Sequence, residues 1–186
     1  MWLVDCVRDF LERKELLEPR DFSGKHGVRW RNIFSAGDID AEDIGIFGSE
    51  VGKVRSIDAG SETVDEDSLT DSSIEPFISG ISSSTVGRVG EIRSTGTGIR
   101  KSEVENVGGI VSRDWGISVS EIGSVDSIIS GRMAVYNSSI DEIGRIKSGE
   151  DGINRSDVGS VGNIVSGKRG IWDSQVGDVE RVVSGG

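Results

Sequence analysis

A repeat of fixed length constrains this chain more than any other feature. From Ser84 onward the sequence divides every 18 residues without a gap, into units beginning at Ser84, Ser102, Ser120, Ser138, Ser156 and Ser174. Position 1 is Ser in all six units, and so is position 11 (Ser94, Ser112, Ser130, Ser148, Ser166, Ser184). Positions 3, 6 and 9 hold Val or Ile throughout, and positions 15 and 16 read Gly or Ala followed by Ile or Val. The frame extends backwards through units starting near 31, 49 and 67, the last with one residue deleted. Gly27-Val28 looks like the second half of a still earlier unit.

A short fixed period means that one unit cannot bury its own apolar side and must stack on its neighbours. Eighteen residues are too few for two helices. With β-branched residues and Gly or Ser-Gly turn signals, they suit one coil of a β-solenoid. The expected fold is therefore all-β: a single-stranded, three-sided β-solenoid (β-helix), right-handed, of about nine 18-residue coils within residues 19–186. At one strand spacing per coil, ~4.8 Å, the rod would be on the order of 45 Å long. Val or Ile at positions 3, 6, 9 and 16 should form vertical aliphatic stacks. Gly at positions 12 and 15 is expected at corners of positive φ.

Residues 1–18 differ. Four of the five Leu lie in the first 17 residues, whereas all 21 Ile lie from Ile33 onward. Leu3, Val4, Cys6, Val7, Phe10, Leu11 and Leu17 share one face at a 3.6-residue period, and Pro19 should stop the helix. This predicts an N-terminal amphipathic helix capping the solenoid. Asp5 and Arg8 interrupt the apolar start, against a cleavable signal peptide. No stretch approaches the roughly 18 apolar residues of a membrane span. A cytoplasmic location is the expectation.

Composition then falls into place. Gly (27) and Ser (28) make up nearly a third of 186 residues, a share that would normally suggest low complexity. In the 18-residue frame much of it is punctuation. One Cys excludes an internal disulfide framework, and one His, His26, excludes His-clustered metal sites within a subunit. No His lies near the serine columns, so a Ser-His arrangement is not expected, and a recurrent Ser more simply bonds the backbone at a turn. The chain is expected to be non-enzymatic, without cofactor or metal.

Charge is uneven. Residues 31–83 carry 12 acids and three bases, so most of the formal −11 lies there. The densest run, Asp65, Glu66, Asp67 and Asp71, lacks the Gly and distal Glu of an EF-hand. It reads as a solvated acidic edge, or as a patch for a basic protein partner; the negative field disfavours nucleic acid. A second candidate partner surface is Trp115, Tyr136 and Trp172 near the corners. A third is the last coil, where Val176, Val179, Val182 and Val183 would present apolar side chains and unpaired backbone to another chain. That end favours a homo-oligomer, an end-to-end dimer or a filament.

Gly37-Asp38-Ile39-Asp40-Ala41-Glu42, with Ile44, Ile46, Gly48, Val51 and Val54, resembles a turn of the bactofilins, bacterial polymer-forming β-helices. Later steps such as Gly90-Glu91-Ile92-Arg93-Ser94 are similar to their Gly-x-Ile-x-Ala steps. The resemblance implies a right-handed three-sided β-helix that assembles end to end into cytoskeletal filaments without nucleotide, and it carries no catalytic residue. The strict Ser columns and the leading helix depart from that family. The leading functional expectation is a structural, self-associating solenoid. The alternative is a binding module, an acidic decoy or adhesive rod.

Overall fold

The computed structural model describes residues 20–60 and 78–185. The helix expected over 1–18 and the acidic run Asp65, Glu66, Asp67 and Asp71 lie outside these residues. The described chain is a parallel β-solenoid. Its strands are β1 (Arg20–Arg29), β2 (Asn32–Phe47), β3 (Glu50–Ala59), β4 (Ser79–Ser82), β5 (Thr85–Ser94), β6 (Thr97–Arg100), β7 (Glu103–Ser112) and β8 (Trp115–Ser118). They continue as β9 (Glu121–Ser130), β10 (Met133–Tyr136), β11 (Ser139–Ser148), β12 (Asp151–Asn154), β13 (Asp157–Ser166), β14 (Arg169–Trp172) and β15 (Gln175–Ser184).

From β3 onward each coil supplies one ten-residue strand and one four-residue strand. The long strands stack in the order β2-β3-β5-β7-β9-β11-β13-β15, and the short ones in the order β4-β6-β8-β10-β12-β14. All pairs are parallel; from β4 onward they are in register at 18 residues, as in Ile110↔Ile128 and Ile128↔Ile146, whereas β2–β4 and β3–β5 pair at 35. Along β11 the buried residues are Ile140, Ile143, Ile146 and Ser148. Inward positions three apart cannot share a face of a straight strand, whose side chains alternate. The long strand must therefore bend between positions 3, 6 and 9, turning round the core without losing its ladder.

The expected aliphatic columns are the core. Positions 3, 6, 9 and 16 of the middle coils are at most 4% exposed, among them Ile122, Val125, Ile128 and Val135. At ~1.5–3 kcal/mol for each fully buried side chain, these columns are the main favourable contribution to the rod.

Two expectations need correction. The first is the coil count. β3 pairs directly with β5 (Val51↔Val86, Ile57↔Ile92), and β4 stands over β6. Residues 49–60 and 78–83 thus complete a single 18-residue coil, and the unit expected to start near 67 is not a coil of its own. Among the described residues, seven complete coils run from residue 31 to residue 173, with a partial coil on either side, about eight turns in place of nine.

The second concerns glycine. Position 15 is not a corner but an inward slot: a Cβ on Gly116 would run into Ile128 Cγ2 of the next coil and the Ala134 carbonyl oxygen. The corner of positive φ is position 18, held by Lys101 (49°), Val119 (53°), Asn137 (47°), Arg155 (51°) and Asp173 (48°). At position 12 a positive φ occurs at Gly24 and Gly60 but not in the later coils.

Candidate interaction surfaces

The position-18 corner explains the first serine column. The left-handed residue reverses the direction of the ladder. Lys101 N–H donates to the Ser118 carbonyl of the following coil (3.1 Å), whereas Glu103 N–H donates to the Ser84 carbonyl of the preceding one (3.0 Å). The intervening Ser102 N–H is left without a backbone acceptor and donates to Ser120 Oγ (3.3 Å). Ser120 Oγ in turn donates to the Ser118 carbonyl (2.8 Å). The same pair of bonds recurs along the column, for example at Ser138 and Ser156. The second column behaves differently: the Oγ atoms of Ser112, Ser130, Ser148 and Ser166 point inward and have no hydrogen-bond partner.

The last described coil carries the expected self-association residues. Val176, Val179 and Val182 stand in register with Val158, Val161 and Ile164, which are 1%, 2% and 0% exposed. Val176 and Val179 are only partly buried, Val182 is 44% exposed and outward Val183 is 42% exposed. Among the described residues, the second edge of β15 has no strand partner.

The three aromatics form one connected patch. Trp115 packs against Tyr136, with ring centroids 5.3 Å apart. Arg155 donates to the Tyr136 hydroxyl (3.4 Å) and lies over the Trp172 ring at 5.9 Å. Arg169 covers Trp172 more closely, at 4.0 Å, while making two bonds to Asp151 (3.0 and 2.8 Å). Trp172 still exposes 42% of its surface, whereas Trp115 and Tyr136 are half-buried. Cations already occupy the faces of Trp172, so the patch is pre-ordered by the chain's own arginines.

Beside it runs a ladder of alternating charge at position 13. Arg132 pairs with Asp114 (3.1 Å) and approaches Glu150 (3.9 Å), which pairs with Lys168 (2.8 Å). Burial pushes the Asp114 carboxyl above its ordinary pKa despite the Arg132 charge. On the bent strands, hydrogen bonds from Arg55 and then Ser56 hold Asp38 below its ordinary value.

Sequence reasoning missed two features. Trp30 and Phe34 are 68% and 75% exposed, and Trp30 packs edge-on against Phe47 (5.1 Å). Trp30 occupies the position-18 corner, a place the sequence does not flag. The other is a cationic groove around Lys53 and Arg88. Among the described residues, no group of three or more His, Cys, Asp or Glu is arranged to hold a metal ion. No helix among them is long and apolar enough to cross a membrane.

These features define a parallel β-solenoid whose outer surface is organised into residue columns. Compared with known proteins, no family model, no curated protein and no solved structure matches the chain.

Proposed function

We propose that this protein is a non-enzymatic structural solenoid that self-associates through its β15 end, in the manner the bactofilin-like turn implies, within the cytoplasm. The observation that carries this reading is the contrast within single columns: Val158, Val161 and Ile164 are closed over, while Val176, Val179 and Val182 one coil on are open. A second strand set on β15 would satisfy its free N–H and C=O groups and cover these side chains together, which is how every internal coil is stabilised.

Light scattering on the purified chain tests it. The expected result is a defined dimer or polymer that Val179→Lys/Val182→Lys reduces to monomer while the far-ultraviolet circular dichroism keeps its β signal. A strict monomer at high concentration rejects the reading. The alternative is a binding module working through the Trp115–Tyr136–Trp172 patch. It is favoured by the arginine clamp that holds Trp172 partly exposed, and it predicts capture of a protein partner that is lost on Trp172→Ala.

A further inference from the structure

A pair of stacked cations, Lys53 and Arg88, lies on the bent face of the long strands, far from β15. The 18-residue frame would place Asp71 between Lys53 and Arg88 in the position-5 column. The structure instead pairs Lys53 directly with Arg88 on neighbouring strands. Like charges directly opposite on adjacent strands repel and destabilise the pair, in a chain whose formal charge is −11. Among the described residues, neither has a carboxylate within ion-pair distance. Neighbouring cations do: Arg55 pairs with Asp38 at 2.6 Å and Arg93 with Glu91 at 2.8 Å.

The column continues with neutral donors. Ser35 stands next to Lys53 on one side, and Asn106 next to Arg88 on the other. The Ser124 hydroxyl donates to Asn106 Oδ1 (2.7 Å), which fixes the amide so that its NH2 group faces away from Ser124 as a free donor. The four side chains line one groove of about 490 Å³. Ala36, Gly37, Val54, Arg55, Val89 and Gly90 complete its lining. Ser35, Lys53, Arg88 and Asn106 therefore form a row of donors, one per coil, with two positive charges at the centre.

We propose that this groove binds a multiply charged phosphoryl anion, specifically a diphosphate group, bridging Lys53 and Arg88 with Asn106 as an additional donor. The two cations are carried on backbones one coil step, ~4.8 Å, apart, a spacing that suits the two charged centres of a diphosphate better than a single anionic oxygen. The ammonium supplies a point charge and the guanidinium a planar fork, the two modes by which proteins hold phosphate. Binding would also relieve the cation–cation repulsion, so the groove gains from an anion what Arg55 and Arg93 gain from a carboxylate.

Calorimetric titration of the full chain with inorganic pyrophosphate, at constant ionic strength, tests the assignment; ADP and adenosine separate a free diphosphate from one carried on a nucleoside. Saturable binding at one site per chain is expected, weakened at least tenfold by Lys53→Gln/Arg88→Gln and unchanged by Arg145→Gln, an exposed cation in the neighbouring position-8 column. Asn106→Asp should weaken it through added negative charge. The circular dichroism of each variant checks that the rod is intact. No saturation at millimolar pyrophosphate, equal binding by the double variant, or equal response to sulfate and pyrophosphate would each overturn the proposal. Failure of self-association would leave it untouched, because the groove lies outside the β15 coil.

Discussion

At the scale of single residues, two serine columns that look identical in sequence do opposite things. A position-1 hydroxyl is the acceptor for an N–H that the left-handed corner has removed from the ladder. Among the described residues, the position-11 hydroxyls of Ser112, Ser130, Ser148 and Ser166 point into the core without a partner, whereas Ser94 Oγ accepts from Gly96 N–H (3.2 Å); Ala41 and Ala59 fill the column elsewhere. Ser120→Ala should therefore cost about 1–3 kcal/mol, the penalty of a buried donor left unmade, while Ser130→Ala should be near neutral. Urea unfolding of the two variants measures the difference, and equal losses would contradict the assignment of roles. The corner makes its own prediction. Val119 is β-branched and held at a φ of 53°, a conformation that costs L residues about 1–2 kcal/mol. Asn137 fills the same position one coil on. Val119→Asn should raise stability by about 1 kcal/mol, and a fall in the urea midpoint would mean that Val119 makes a contact outweighing its strain.

At the scale of elements, the long strand is one continuous ladder that bends twice, so side chains in one outward column are stacked at strand spacing and feel each other directly. Asp40 and Asp58 are such a pair, followed by Arg93. Burial, and then the Asp40 charge, raise the Asp58 carboxyl above its ordinary pKa. The folded state therefore holds this proton more tightly than the unfolded chain, and the group's contribution to stability grows as pH falls through the folded pKa toward the ordinary Asp value of about 3.9. Asp58→Asn should stabilise the rod at neutral pH, by a few tenths of a kcal/mol once solvent screening is allowed for. The difference from the parent should vanish below pH ~3.9. Thermal melts at neutral and acid pH read it; a variant less stable at neutral pH would show that the attraction of Arg93 outweighs burial and the Asp40 repulsion. The columns of Val or Ile spaced by three were legible in the sequence; that this spacing bends the strand shows only in the structure. The αL corner was not legible, because its occupants, Lys, Val, Asn, Arg and Asp, share no chemistry; only the Ser that follows marks the place.

At the scale of the whole molecule, the repeat was readable and its interruption was not. Residues 61–77 number one fewer than a coil and are followed by Gly80-Ile81 in the expected places, so a count in eighteens absorbs them as a repeat. Only the pairing exposes the difference. The same miscount hid the Lys53–Arg88 stack, whose members are 35 residues apart and seemed separated by Asp71. The structure makes the interruption removable. Gly60 N–H bonds the Ala41 carbonyl (2.8 Å), and the Ala59 carbonyl accepts from Thr95 N–H (3.0 Å). The Ile78 carbonyl accepts from Thr97 N–H (3.1 Å). Gly60 and Ile78 thus stand over Thr95 and Gly96, which are consecutive in the next coil, and joining them would close a regular 18-residue turn. Deleting residues 61–77 should leave the β circular dichroism unchanged and the melting temperature within a few degrees of the parent. The same deletion removes six acids and no base, and with them Asp65, Glu66, Asp67 and Asp71. If a basic protein partner is captured by the parent and still captured by the deleted chain, the acidic run is not its site. If the deleted chain fails to fold, the 61–77 segment is part of the coil stack and the direct β3–β5 pairing is wrong.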